Sequence, residues 1–195
     1  MPDRYRSFRE LAARERESID WQVRAHPRRS AIAILAPHGG KIAPGTSDIA
    51  EAIAGEDFSF YGFEGIRSGH NTRLELDSKT FDEPECSKLL GGCTLAISIL
   101  GLRSPGREIK VSGGNALLRE RIVAMLLACG FEAIEDDDHA DPADLCNRPG
   151  PGLRLEIAKG LRDYFESKPN EMDRFVAGVR AVLLQETIAL GVAAP

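Results

Sequence analysis

The sequence predicts an α/β fold, with a mixed central β-sheet flanked by helices. Three patterns predict it. The apolar runs Ala31-Ile32-Ala33-Ile34-Leu35 and Leu95 to Leu100 have the length and composition of buried strands. Leu153-Arg154-Leu155-Glu156-Ile157 alternates apolar and polar residues, so one face meets a core and the other carries Arg154 and Glu156. Between such runs lie segments of helical period, the clearest from Asn115 to Gly130. Strands that alternate with helices build a sheet covered by helices.

Taken in order, Phe8 to Ile19 is charged and reads as a short helix, and residues 1–19 as an N-terminal extension of a single domain spanning 1–195. Asp20 to Arg24 alternates like an edge strand, and Ala31 to Leu35 is the first buried strand. Pro44-Gly45-Thr46-Ser47 starts a helix with Thr46 or Ser47 as N-cap, and Gly55 ends it. Phe58 to Phe63 is aromatic and strand-like, and Leu74 to Asp77 alternates like another short strand. Asp82-Glu83-Pro84 opens a helix to about Leu90, and Glu108 to Val111 is a further strand. Asn115 caps a helix with Leu118, Ile122, Met125, Leu126 and Cys129 on one side and Gly130 as stop. Phe131 to Ile134 starts a strand, and Glu171 to about Leu190 is a last long helix. No repeat, linker or low-complexity stretch interrupts this order.

Composition narrows the function. The chain has 195 residues, 43% hydrophobic and 28% charged, enough for a packed core and a polar surface. The net charge of −5 and the lack of a basic block argue against a nucleic-acid partner. No apolar stretch approaches the roughly 18 residues of a membrane span, and the polar start Met1-Pro2-Asp3-Arg4 leads into no signal-peptide core. Cys86, Cys93, Cys129 and Cys146 form no CxxC pair and read as packing thiols of a cytoplasmic protein. GxSxG and GxGxxG are absent. The oligomeric state is not legible.

Chemistry concentrates at strand ends. The run to Leu35 continues as Ala36-Pro37-His38-Gly39-Gly40, which delivers an imidazole to the carboxyl end of a strand, where open α/β sheets bind ligands. His38 there is a metal ligand, a general base, or a histidine bonded to nearby backbone. Glu156 is a candidate general base if its face lines a cleft, and otherwise a surface carboxylate. Arg67, Arg73, Arg148 and Arg154 are suited to bidentate bonds with carboxylates, or are solvated surface charges. Asn147-Arg148-Pro149-Gly150-Pro151-Gly152 is a rigid polar loop that positions a substrate or only makes a turn. Ser112-Gly113-Gly114-Asn115 reads as a turn and cap rather than an anion site. Glu135-Asp136-Asp137-Asp138-His139 lacks calcium-loop spacing and reads as a solvated acidic loop.

The collinear blocks Pro37-His38-Gly39-Gly40-x-Ile42-x-Pro44-Gly45-Thr46-Ser47, Tyr61-x-Phe63-Glu64-Gly65, Phe81-Asp82-Glu83-Pro84, Asn147-Arg148 and Gly152-Leu153-Arg154-Leu155-Glu156-Ile157 resemble the poly-γ-glutamate hydrolases of phages and bacteria. The resemblance covers roughly residues 20 to 185. It implies a fold like that of the zinc carboxypeptidases and cleavage of γ-glutamyl amides with one zinc ion held by two His and one Glu. His38 matches the first ligand. Ala43 and Leu100 occupy the positions of the other two, and Glu75 stands where another active-site His is expected. Glu156 matches the general base. The resemblance further implies that Arg73, Asn147, Arg148 and Arg154 bind a small acidic peptide or polyglutamate-like ligand. Alanine and leucine have no donor atom, so zinc is expected to bind weakly or not at all. Glu75, with Asp77 on the same strand face, is the candidate replacement ligand. Two functions follow: a γ-glutamyl amide hydrolase with an altered metal site, or a catalytically silent module that binds an acidic ligand.

Overall fold

In a computed structural model, residues 5–136 and 140–189 are described. Met1 to Arg4 of the predicted extension, the Asp137-Asp138-His139 part of the acidic run and the predicted helix end at Leu190 lie outside them. Seven strands form one mixed sheet: β1 (Trp21–His26), β2 (Ile32–Gly40), β3 (Ser59–Gly65), β4 (Leu95–Leu102), β5 (Glu108–Ser112), β6 (Glu132–Glu135) and β7 (Leu153–Ala158). Their spatial order is β1-β3-β2-β4-β7-β5-β6. The central β3, β2, β4 and β7 are parallel, β1 runs antiparallel on β3, and β5 runs antiparallel on β7. From β2 the chain moves to β3 on one side and then crosses to β4 on the other. The carboxyl end of β2, with His38, is therefore a topological switch point, the place where such sheets open a crevice.

One sheet face meets α2 (Thr46–Ala54), α4 (Ala116–Ala128), α5 (Lys159–Ser167) and α6 (Pro169–Ala189). Ile34, Ile97, Ile99, Leu155 and Ile157 form that core with Ile53, Ile122, Phe165 and Phe175. The other face meets α1 (Phe8–Ala12), α3 (Pro84–Leu90) and long loops over Leu35, Tyr61, Phe63, Leu74 and Leu76. Cys86 and Cys146 are buried free thiols, and burial pushes the Cys146 thiol up to about 12.

Four expectations change. The buried strand from Ala31 continues through His38-Gly39-Gly40, and its register to β3 shifts between Ala36 and Gly39. Helix α2 is capped by Gly45, at φ +88°, rather than by Thr46 or Ser47. Those hydroxyls serve the strand end instead: Thr46 Oγ1 donates to Ala43 O at 2.8 Å, and Ser47 Oγ accepts from Gly40 N at 3.1 Å. Leu74 to Asp77 is no strand. Leu74 ends a 3₁₀ turn (Asn71–Leu74) that follows His70 at φ +57°, and both sides of β3 are already taken by β1 and β2. The alternation has another origin, because Leu74 and Leu76 both point into the core from an irregular segment. Glu75 and Asp77 thus share no strand face. Helix α1 stops at Ala12, well short of Ile19.

The strand end rests on a buried carboxylate. Glu64 on β3 is 6% exposed and accepts from Gln22 Nε2 at 2.7 Å and Arg24 Nε at 3.0 Å. The Ser47 hydroxyl bonds to it as well, so one chain of bonds links Glu64, Ser47 and the Gly40 amide. Close approach requires the glycines: a Cβ on Gly39 would meet Ser47 Oγ at 2.1 Å, and Gly40 lies at φ +58°. Burial alone would raise the Glu64 pKa, but the bonds from Gln22, Ser47 and Arg24 outweigh it and hold the carboxyl below the usual range. A depressed folded-state value gives stability that is complete above the unfolded value, about 4.3, and is lost as pH falls through the folded value. Glu64→Gln is therefore expected to lower the unfolding free energy by about 1–3 kcal/mol at pH 7. Urea melts should show that deficit shrinking as the pH is lowered from about 5 towards 2.

Candidate functional site

The turn after β2 folds back tightly. Ala43 N donates to His38 O at 3.0 Å and Ile42 N to Gly39 O at 3.2 Å. This brings residue 43 beside residue 38 at the rim of a cleft of about 460 Å³, lined by His38, Ala43, Glu75, Gly101, Arg103 and Arg162 among others. His38 is half-buried, and its Nε2 lies 2.7 Å from Leu76 O. A carbonyl only accepts, so in the neutral ring Nε2 carries the proton and Nδ1 the lone pair. Glu75 reaches the same cleft and accepts from Arg103 Nη2 at 2.9 Å. Asp77 is exposed and accepts from the Lys79 amide at 2.8 Å.

Glu156 and Arg154 share a face of β7, as the alternation predicts, while Leu153, Leu155 and Ile157 are fully buried on the other. The register sets two rows across the sheet on that face. Leu100, Glu156 and Lys110 are neighbours in one, and Ser98, Arg154 and Ser112 in the next. Leu100 is 2% exposed and Glu156 half-buried. Arg154 Nη2 donates to Glu156 Oε1 at 2.9 Å, and Arg154 Nη1 stands 3.8 Å from the buried carboxylate of Asp144. Arg154 Nε, Ser98 Oγ and Ser112 Oγ are buried with no hydrogen-bond partner among the described residues. A cation held between two carboxylates on a buried face is a structural element of the site, whatever the ligand.

The remaining predicted residues are spread more widely. Arg148 Nη2 donates to Ser78 O at 3.0 Å and Lys79 O at 3.2 Å, and Nη1 to Phe81 O, tying two loops together. Asn147 is buried, and its Oδ1 accepts from Gly114 N and Gly152 N at 3.0 Å each. Arg73 is exposed on the 3₁₀ turn. Arg67 pairs with Glu15 at 3.0 Å. The sequence assigns no role of its own to Glu64 or Arg162. Glu64 lies in an aromatic strand run, and Arg162 lies on α5, which follows β7 without any turn or cap residue to announce it.

A family model for poly-γ-glutamate hydrolase matches residues 5–175. The chain belongs to the poly-γ-glutamate hydrolase family. It is 34% identical to the UPF0714 protein YndL of Bacillus subtilis (strain 168) over 167 residues, 82% of this chain and 66% of YndL. It is 31% identical to the SPbeta prophage-derived UPF0714 protein YoqZ of the same organism over 161 residues, 80% of this chain and 58% of YoqZ. The chain thus spans less than two thirds of either relative. The solved structure of a bacteriophage poly-γ-glutamate hydrolase superposes with a TM-score of 0.88 at 26% identity, covering 97% of this chain and 99% of that one. A zinc-free structure of YndL gives 0.86 at 28% identity, covering 93% and 98%.

The sequence resemblance implies three zinc-ligand positions, and zinc is bound through nitrogen, thiolate or carboxylate donors. His38 offers one nitrogen, Ala43 a methyl group and Leu100 a buried isobutyl group. Among the described residues no three His, Cys, Asp or Glu side chains gather as a metal set. Removing the central cation of the polar face should be costly. Arg154→Met is expected to lower the unfolding free energy by about 2–4 kcal/mol in chemical denaturation, because Asp144 and Glu156 lose the charge between them.

Proposed function

We propose that this protein binds acidic γ-glutamyl peptides in the cleft at the carboxyl ends of β2 and β4, and that it does not hydrolyse them by the zinc chemistry of its family. One observation carries the reading: at the rim where His38 and residue 43 are folded together, residue 43 is an alanine, and its Cβ and Arg162 Nη2 both lie within 3.0 Å of where a Cβ on Gly101 would stand. The family fold is present and the cleft carries the cationic side chains Arg103, Lys159 and Arg162, which makes a polyanionic peptide a ligand of suitable chemistry. Glu156 retains the place of a general base. Its carboxylate is bonded to Arg154, and without a polarised carbonyl or activated water a lone carboxylate is a poor catalyst against an amide.

One further arrangement bears on the hydrolase reading: His38 and Glu75 both line the cleft and offer two donors of metal-ligand type. Metal content separates the readings. Purified protein dialysed without added metal is expected to carry far less than one zinc per chain and to leave γ-linked polyglutamate intact, while calorimetry shows uptake of short γ-glutamyl peptides. Stoichiometric zinc that disappears in a His38→Ala variant, together with cleavage of γ-linked polyglutamate, would overturn the proposal in favour of a relocated metal site.

A further inference from the structure

We infer that the guanidinium of Arg162 is the anchor for a ligand carboxylate in this cleft, an inference that rests on the binding function proposed above. Arg162 is only 7% exposed, yet it lines the cleft. Its Nε donates to Ile157 O at 3.1 Å and its Nη1 to Pro44 O. Both carbonyls are backbone groups at the end of β7 and the start of α2, so the guanidinium is held in one orientation. Nη2 has no hydrogen-bond partner among the described residues and makes no ion pair. The other two cations of the cleft differ. Arg103 pairs with Glu75 at 2.9 Å, and Lys159 pairs with Asp163 at 2.5 Å. Both are well exposed, with 68% and 62% of the side chain accessible.

Asp163 is near enough to act on Arg162 but is paired with Lys159, and a buried cation with no carboxylate at ion-pair distance is costly unless something on its open side is negative. Two carbonyl dipoles offset part of that cost and leave a preoriented fork facing the cleft. The position is the second point. Ala43 Cβ and Arg162 Nη2 lie 2.7 and 3.0 Å from where a Cβ on Gly101 would stand. The single methyl at 43 and the lack of a side chain at 101 leave space beside the guanidinium edge. The positive charge beside His38 is thus supplied by an arginine, and a carboxylate is the group that its planar fork receives best.

Residue 43 provides the test, since a glutamate there would carry its own carboxylate to Arg162 and leave the bonds to Ile157 and Pro44 in place. Calorimetric titration with γ-linked triglutamate is compared for the unaltered protein, Ala43→Glu, Ala43→Gln and Arg162→Lys. Ala43→Glu is expected to bind about tenfold to a hundredfold more weakly than Ala43→Gln and to melt about 2–4 °C higher. Arg162→Lys, which keeps the charge but not the fork, is expected to lose a similar factor in affinity. Equal affinities and equal melting temperatures for Ala43→Glu and Ala43→Gln would overturn the assignment of Arg162 while leaving peptide binding intact. If the unaltered protein took up no triglutamate but Ala43→Glu still melted above Ala43→Gln, Arg162 would stand as a carboxylate receptor and the peptide reading would fall.

Discussion

The buried carboxylate of Glu64 is the constraint from which the rest of the cleft follows. It sits beneath the last turn of β2 and binds three side chains from two elements: Gln22 and Arg24 on β1 and Ser47 on α2. Through Ser47 it fixes the Gly40 amide, and through that turn it fixes where His38 and Ala43 stand. A polar group this deep costs free energy unless its bonds are complete. Once complete, they allow only one arrangement of strand, turn and helix. The rim of the cleft is in this sense built from the inside outward, by a residue that does not line it.

The charges around the cleft divide into two kinds. Arg103 with Glu75 and Lys159 with Asp163 are exposed pairs, and such pairs contribute little and are screened by salt. Arg162 is buried against carbonyls, and Arg154 is half-buried between carboxylates. The two arginines lie close to each other in sequence on β7 and α5 but serve different faces. Arg154 belongs to the polar row beside Ser98 and Ser112. Arg162 packs against the residues above Gly101 at the other side of the strand end.

Much of this was legible in the residues. Runs such as Ala31 to Leu35 and Leu153 to Ile157 carry their burial pattern in their own period, and Asn115 announces its helix by capping it, accepting from Leu118 N at 3.1 Å. The collinear blocks around His38 and Glu156 carry the family. What stayed hidden depends on distant partners. Thr46 and Ser47 are good N-caps by type, but the turn claims their hydroxyls first. Leu74 and Leu76 alternate because both fill the core from a loop, which period alone does not distinguish from a strand. Helix α5 begins directly at the end of β7 with no cap residue, so Arg162 had no motif to mark it. Asn147 and Arg148 show the reverse case, polar residues of a family block whose donors and acceptors are spent on loops.

The far margin of the sheet has a consequence of its own. Strand β6 has only four residues, Glu132 to Glu135, and only one neighbour, β5. Its outer side leaves backbone donors and acceptors facing outward, a surface on which another extended chain can in principle assemble. Glutamates stand at both ends of the strand, and the one large apolar side chain between them, Ile134, is 48% exposed. A second copy adding here would find few bonds to make, and Glu135 is already held by Arg119 at 2.9 Å. The margin is thus protected against runaway strand addition chiefly by its brevity, with Glu132 as a charged guard at its start, and a longer β6 would lose that protection.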